Sequence, residues 1–269
     1  MAQLPSAFPK LEWNTEATIG LAFAKQNDLY RAITAWRRAL ILLPPNASDQ
    51  QLQLLYDTVL ANAIAHRWSE VVDTVETSPL CQTTDQFAAY TDLTTLLYAS
   101  YVETDQEVRS QRMLTLIRST DPERADRLAL WRALVQADLP EAYDLAQDNP
   151  LALNQLALYD AGAKSPVGAS LLNGLLPGAG YLYVGQPGTA FTSLLLNGLF
   201  IWAAIEFFQH RLIAPGIITA SIEAGWYFGG IYGAGLAARQ YNERLYSDLI
   251  CPVLNEQRLF PILQLNYGF

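Results

Sequence analysis

Lysine, histidine and cysteine are scarce in this chain, and acidic residues outnumber basic ones. Of its 269 residues, 17 are lysine or arginine and 26 are aspartate or glutamate, which gives a formal net charge of −9. Lysine occurs only at Lys10, Lys25 and Lys164. A nucleic-acid backbone is bound by clustered basic side chains, so this composition argues against nucleic acid as a partner.

Patterns that carry catalysis or metal binding are also lacking. The two histidines, His66 and His210, belong to no HExxH motif, and no nucleophile elbow accompanies them. The two cysteines, Cys81 and Cys251, lie 170 positions apart, so their spacing indicates neither a zinc site nor a disulfide framework. We therefore predict a protein that is not an enzyme and that uses no cofactor or metal.

Charge almost disappears in the second half of the sequence. Residues 1–166 carry 13 of the 17 basic and 21 of the 26 acidic residues, and residues 167–269 carry the rest. The segment 167–205 has no charged residue, and the segment 212–238 has only Glu223. This contrast indicates a soluble part joined to a part that contacts the lipid bilayer.

Two membrane spans fit the charge-poor half. About 20 apolar residues in a helix cross the hydrocarbon layer of a bilayer. We predict one span at about 189–208 and a second at about 215–238, with a short polar turn between them. The two spans would form a helical hairpin inside a membrane domain that covers 161–246.

Positive charge beside the hairpin predicts its orientation. Lys164, Arg239 and Arg244 lie on the side shared by both chain ends, and Arg211 alone lies in the short turn. Basic residues are enriched on the cytoplasmic side of a membrane. We expect a membrane protein whose first half is cytoplasmic, because the sequence as written starts without a secretory signal; a removed signal peptide would place that half on the opposite side, in the periplasm if the membrane is bacterial.

A glycine-rich stretch, NGLLPGAGYLYVGQPG, occupies residues 173–188 and has no charge. A phosphate-binding loop would need lysine and then serine or threonine where Gln186 and Pro187 stand, and a dinucleotide fingerprint would need glycine at Tyr183. We therefore predict a tight turn that follows a short amphipathic or re-entrant helix at 167–176 and leads into the first span.

Small residues recur at every fourth position along the second span, at Ser221, Gly225, Gly229, Gly233 and Ala237. Small side chains let membrane helices approach closely, so this small-residue ridge predicts a helix-packing interface. Its partner is either the first span, which we favour, or another protein. A membrane complex and a homo-oligomer therefore both stay open.

Polar residues inside the predicted membrane domain are Asn173, Asn197 and Glu223. An ionisable side chain in the middle of a span is costly unless it is paired or hydrated. One interpretation is a proton-linked or ion-linked site at Glu223 with one of the asparagines. The other, which we favour, is a structural hydrogen bond that ties the two spans together.

The first half begins with a helix, a turn and a second helix between residues 13 and 44. Its apolar and small residues fall at the spacing of a tetratricopeptide repeat, with Trp13, Gly20, Phe23, Ala32, Trp36, Ala39 and Pro44 at the packing positions. We expect Gly20 and Ala32 to be small where the two helices cross, with Phe23 and Trp36 filling the space beside them.

Three more helix pairs follow in a degenerate form, at 55–79, 87–117 and 121–146. Asp121 is a predicted N-cap, because Pro122 follows it at the first helical position. Stacked pairs of this kind form a solenoid with a concave face. We expect a short solenoid over 1–160 that binds a protein partner.

A family resemblance rests on the motif residues Leu176, Pro177, Gly178, Gly180, Tyr183 and Gly185, and further along on Asn197, Gly198, Glu223, Tyr227, Ile231, Tyr232, Gly233, Ala238, Tyr241 and Asn242. With the repeats before it, this pattern resembles a bacterial family that joins tetratricopeptide-like repeats to a TM2-like membrane hairpin with an LPGxGxxYxG signature. Tyr181 stands where such sequences often have glutamine. The resemblance implies an all-α architecture, a solenoid followed by a helical membrane hairpin, and implies no reaction.

The combination of repeats with two spans predicts a non-enzymatic, membrane-anchored adaptor or scaffold. The alternative is a small component of transport, or of membrane-protein insertion and assembly, in which Glu223 acts. Replacement of Glu223 by glutamine separates the two, because an adaptor would still bind its partner.

The segment 247–269 forms a separate C-terminal tail in this scheme. Leu263, Leu265, Tyr267 and Phe269 alternate with other residues, which is the period of an extended strand. We expect an extended tail that docks on the helices or on a partner.

Overall fold

The computed structural model of the protein describes residues 13–256, and every regular element in that range is a helix. The all-α prediction is confirmed for these residues. The chain divides into two compact units, and the division falls between Leu145 and Ala146. This is about fifteen residues before the boundary expected at 160, because α9 (Pro150–Gly162) packs against the last helix of the second unit.

The first unit consists of consecutive helices in which each packs against the next along the chain. The helices are α1 (Trp13–Lys25), α2 (Leu29–Leu42), α3 (Ser48–Ile64), α4 (Trp68–Glu76), a 3₁₀ turn (Pro79–Gln82), α5 (Tyr90–Glu103), α6 (Glu107–Thr120), α7 (Pro122–Val135) and α8 (Leu139–Leu145). In addition, α3 contacts α5. The predicted N-cap at Asp121 is confirmed, since its side chain accepts a hydrogen bond from the Arg124 N–H at 2.9 Å.

One turn geometry recurs inside all four helix pairs of the first unit. Its central residue has a positive φ of 53° to 58°, at Asn27, His66, Asp105 and Ala137. The next N–H donates to a carbonyl five residues earlier, as from Asp28 to Phe23 at 2.9 Å. This is a helix C-terminal motif that usually places glycine at the positive-φ position. The turns inside the four pairs therefore share one backbone geometry even where their sequences differ.

The crossing of α1 and α2 is built around Trp36. Its indole is 1% exposed, and its Nε1 donates to the Ala17 carbonyl at 3.3 Å. A methyl group at Gly20 would collide with the indole ring. Ala32 and Ala39 are fully buried in the same cluster.

The other repeat positions lie at the margin of this cluster. Trp13 and Phe23 are partly buried against it, and the guanidinium of Arg31 lies 5.5 Å above the Phe23 ring. Pro44 is exposed in the connection to α3, where its carbonyl accepts from the Ala47 N–H.

The second unit is organised along one long helix, α13 (Ile213–Glu256). Packed against it are α9, α10 (Pro166–Leu175), α11 (Ala179–Tyr183) and α12 (Pro187–Gln209). The turn between α12 and α13 has the same geometry as those of the first unit, with Arg211 at a φ of 58°. Because only this short turn joins them, α12 and α13 are antiparallel neighbours.

The expected tail begins as helix rather than as strand, because α13 continues to Glu256. Ile250 and Val253 are buried one turn apart, and the Tyr246 ring makes an edge contact with Tyr159 of α9 at 5.2 Å. This helical spacing of apolar residues favours continuation of α13. The alternating residues Leu263, Leu265, Tyr267 and Phe269 lie outside the described part of the chain.

One helix in residues 13–256, α12, is long and apolar enough to cross a membrane by length and composition. It is also poorly covered, with 17% of its most apolar window buried. The second predicted span, about 215–238, lies within α13 and does not meet the same measure. Its glycines, Ser221, Glu223 and tyrosines make it less apolar than α12.

Candidate functional site

The glycine-rich stretch folds into a turn, a short helix and a second turn. The predicted helix at 167–176 is present as α10, and it ends at Leu175 because the residue before Pro177 is forced into an extended conformation. Gly178 then adopts a φ of 94°, and Gly185 adopts a φ of 81° after α11. The helix α11 was not expected, since five helical residues leave no periodic signal in the sequence.

Two glycines of the motif are required by close packing rather than by ligand binding. A methyl group at Gly180 would collide with the Ala169 carbonyl of α10. A methyl group at Gly178 would collide with the Ala190 carbonyl of α12. These glycines therefore let α10, α11 and α12 approach one another at backbone distance.

Asn173 fixes the first of these turns. Its side chain is 2% exposed, and its Oδ1 accepts from the Gly178 N–H at 2.9 Å. Two further bonds hold α10 on α13: Ser170 Oγ donates to the Ile231 carbonyl at 3.0 Å, and the Tyr227 hydroxyl donates to the Gly174 carbonyl.

Lys164 lies at the centre of a second cluster, which joins motif residues from distant parts of the sequence. The backbone N–H of Lys164 donates to Asn242 Oδ1 at 2.7 Å, and Asn242 Nδ2 donates back to the Lys164 backbone carbonyl at 2.8 Å. Its ammonium group lies 5.1 Å above the Tyr183 ring and 6.0 Å from the Tyr241 ring, a cation–π arrangement. The Tyr183 hydroxyl also accepts from the Ser165 N–H at 3.1 Å. This cluster fixes the link between α9 and α10.

Glu223 is buried without a hydrogen-bond partner among the described residues. It is 8% exposed, and neither carboxylate oxygen is paired. Asn197 is 2% exposed; its Nδ2 donates to the Ser193 carbonyl at 2.6 Å, but its Oδ1 has no partner within residues 13–256. The structural hydrogen bond that we expected from Glu223 to the first span is therefore not formed among the described residues.

The unpaired atoms of Glu223 and Asn197 lie at nearly the same level along the axes of α12 and α13. Asn197 is 14 residues before Arg211 and Glu223 is 12 residues after it, so their levels differ by about 3 Å along the helix axes. All three unpaired atoms are acceptors. Each of these buried acceptors could accept a hydrogen bond from a donor that the described residues do not supply.

The small-residue ridge is divided in two by the structure. At its C-terminal end Ala237 is buried, and a methyl group at Gly233 would collide with the Tyr181 hydroxyl. At its N-terminal end Gly225 and Gly229 are exposed, and a methyl group on either would meet nothing within 4 Å. Ser221 is exposed as well. Close packing of the whole ridge on the first span, the partner we favoured, is therefore not found.

The N-terminal end of the ridge, at Gly225 and Gly229, lines a groove instead. This groove has a volume of about 410 Å³, and Gly225 and Gly229 share it with Tyr181, Thr189, Thr192, Ser193, Trp226 and Gly230.

A groove of about 330 Å³ also lies between α1 and α3 in the first unit. Trp13, Leu21 and Trp36 give it apolar walls, and Gln53 and Asp57 give it polar groups. Gln53 Nε2 donates to Asp57 Oδ1 at 2.8 Å. Burial raises the pKa of Asp57 to about 6 from 3.8, and the hydrogen bond from Gln53 opposes this rise.

The described residues contain no group of three or more histidine, cysteine, aspartate or glutamate side chains arranged to hold a metal ion. Comparison with protein-family models, with curated proteins and with solved structures gave no match. The resemblance to repeat proteins with a TM2-like hairpin therefore rests on the sequence motifs alone.

Proposed function

We propose that the protein is a membrane-anchored adaptor that binds a protein partner through tetratricopeptide-like repeats. The observation that supports this proposal is the same turn geometry inside four helix pairs of the first unit. The exposed apolar helix α12 follows this unit in the chain. Repeated helix pairs stack with their neighbours and present a continuous binding surface. The apolar helix α12 anchors this surface to the bilayer.

The groove between α1 and α3 is the partner site in this proposal. Trp13 and Leu21 offer an apolar wall to a large side chain. Beside them lie two polar groups, the half-buried carboxylate of Asp57 and the exposed amide of Gln53. A peptide or helix with an apolar residue next to a basic one fits this chemistry, because a basic side chain would favour the ionised form of Asp57.

The test is retention of a partner by the detergent-solubilised full chain, immobilised and exposed to an extract of its native membranes. We expect one protein to be retained by the wild-type chain and lost with Leu21→Ala or Asp57→Asn. The control is Asp73→Asn, a change at an exposed carboxylate of α4. Equal retention by the groove variants and the control would exclude the groove as the partner site.

A second candidate function is a small transport component, or one of membrane-protein insertion and assembly, that uses Glu223. The observation that favours it is the set of unpaired acceptors at Glu223 and Asn197. Buried unpaired carboxylates in membrane helices are typical of ion and proton pathways.

The two functions are separated by Glu223→Gln. An adaptor variant still retains its partner, whereas a transport component loses pH-dependent ion flux into vesicles. Glu206→Gln is the matched control, because Glu206 is paired with His210 at 2.9 Å near the exposed turn. Wild-type vesicles without any pH-dependent flux would exclude the second function.

A further inference from the structure

An apolar groove of about 600 Å³ runs between α10 and α13. Its walls are aliphatic and aromatic side chains, most of which remain exposed, and Leu175 is the most open of them at 84% exposure. They include Val167, Leu171, Leu175, Ile231, Tyr232 and Leu236. Contiguous exposed apolar surface of this kind marks a site for lipid or for another protein.

Arg239 lies among the residues that line this groove. It is exposed, and it forms no ion pair with any residue in the range 13–256. Glu243, one helical turn further along, is also exposed and is not within 4.0 Å of it. Of the two other cations on this side of the hairpin, Lys164 lies against two tyrosine rings, and Arg244 is exposed but does not line the groove.

The level of the groove along α12 matches a position at the membrane surface. Arg239 is 28 residues after Arg211, and Pro187 is 24 residues before it. Because α12 and α13 are antiparallel, Arg239 lies about 6 Å beyond the start of α12. Ile231 lies 20 residues after Arg211, at the level of the second turn of α12. If α12 crosses the bilayer, Arg239 is at the headgroups and Ile231 is in the hydrocarbon.

We propose that this groove binds an anionic phospholipid, with an acyl chain between α10 and α13 and the phosphate against Arg239. The charge is complementary, since an unpaired guanidinium at headgroup level attracts a phosphate. The apolar walls continue from that level into the hydrocarbon, where an acyl chain can fill the groove between α10 and α13. The proposal rests on the membrane anchoring of α12.

The test is lipid titration of the full chain purified in a non-ionic detergent, read as the shift of its thermal midpoint. Phosphatidylglycerol and phosphatidylcholine with the same acyl chains are compared. We expect half-saturation at an about fivefold lower concentration of phosphatidylglycerol. Arg239→Gln removes this difference, whereas Arg211→Gln, at the exposed turn on the other end of the pair, keeps it.

A second pair of variants tests the acyl-chain part of the groove. Leu175→Ser weakens the response to both lipids. Leu182→Ser does not, because Leu182 belongs to α11, is 62% exposed and does not line the groove. Soluble glycerol phosphate, the headgroup without chains, leaves the midpoint unchanged. The proposal is overturned if both lipids saturate equally, if Arg211→Gln loses the same preference as Arg239→Gln, or if glycerol phosphate alone reproduces the shift.

Detergent phase separation distinguishes failure of this site from failure of the membrane anchor. Partition into the aqueous phase would overturn the anchor and the lipid site together. Partition into the detergent phase with no preference between the lipids would overturn the lipid site alone.

Discussion

Asp57 combines a raised pKa with a place in the groove between α1 and α3. Its pKa is about 6 in the folded protein against the ordinary 3.8, because burial disfavours the charged form. Between these two values the folded state binds more protons than the unfolded state. The stability of the protein therefore falls as the pH rises from about 4 to about 6, and it stays lower above pH 6.

Asp57→Asn removes this dependence. We expect the variant to be more stable than the wild type at pH 7.5, by up to about 3 kcal/mol and by less where water screens the carboxylate. Thermal unfolding of the detergent-solubilised chain at pH 4.5 and pH 7.5 measures it, with Asp73→Asn as the exposed control. A variant that gains stability but loses the partner shows that Asp57 is retained for binding. If Asp57→Asn were less stable than the wild type at pH 7.5, the raised pKa of Asp57 would be contradicted.

Glu223 is the other residue whose placement carries a cost. A buried carboxylate without a partner is destabilising, and glutamine keeps the shape without the charge. We expect Glu223→Gln to raise the thermal midpoint at pH 8, by an amount that corresponds to about 1–3 kcal/mol. Glu206→Gln should leave the midpoint nearly unchanged. A lower midpoint for Glu223→Gln would mean that the carboxylate makes a bond on which the α12–α13 pair depends.

At the scale of elements, the glycines fall into two classes with opposite expected effects. Gly180→Ala forces a methyl group against the Ala169 carbonyl and should destabilise the protein by about 1–3 kcal/mol. Gly229→Ala meets open space in the middle of a helix and should stabilise it by about 0.5–1 kcal/mol. Thermal aggregation of both variants in one detergent checks the pair. Equal midpoints would contradict the close approach of α10 and α11.

The turns of the helix pairs make a similar prediction in the first unit. Ala137 has a φ of 53°, a conformation that glycine adopts without strain, so Ala137→Gly should stabilise the protein by about 1 kcal/mol. Ala22→Gly, at an exposed position inside α1, should destabilise it by a similar amount. Urea unfolding of the two variants measures both effects. Destabilisation by Ala137→Gly would show that the turn is not left-handed at that residue.

Sequence patterns predicted the elements whose signal is periodic. The helices from Trp13 to Lys25 and from Leu29 to Leu42, and the apolar helix α12, each repeat their apolar residues over several turns. The short helix α11 and the full length of α13 were missed. Five residues are too few to show a period, and α13 passes from a glycine-rich, uncharged composition into a charged one without a break in its backbone.

The candidate sites were predicted less completely, because they depend on contacts between distant residues. The burial of Glu223 followed from its position inside an uncharged run, but its lack of a partner depends on the rotation of α13 against α12. The cluster around Lys164 joins positions 164, 183, 241 and 242, and the resemblance motif named all of these except the lysine. The groove beside Arg239 has no local pattern, since its walls come from two separate helices.

At the scale of the whole molecule, the charge bias predicts that residue 81 lies in the cytoplasm and that residue 210 does not. Both cysteines are exposed, so their chemistry can report this. In spheroplasts, a chain with Cys81 as its only cysteine should resist a membrane-impermeant thiol reagent until lysis. A chain with His210→Cys as its only cysteine should react at once. The reversed pattern would place the first unit on the opposite side of the membrane.

The helices of the first unit contact chiefly their immediate neighbours along the chain, and this has a consequence for synthesis. Contacts close in sequence form quickly, since little chain must be brought together before they are made. Residues leave the ribosome at about 5–20 per second, and domains fold as they emerge. We therefore expect the helix pairs of residues 13–145 to fold before the apolar helix α12 leaves the ribosome.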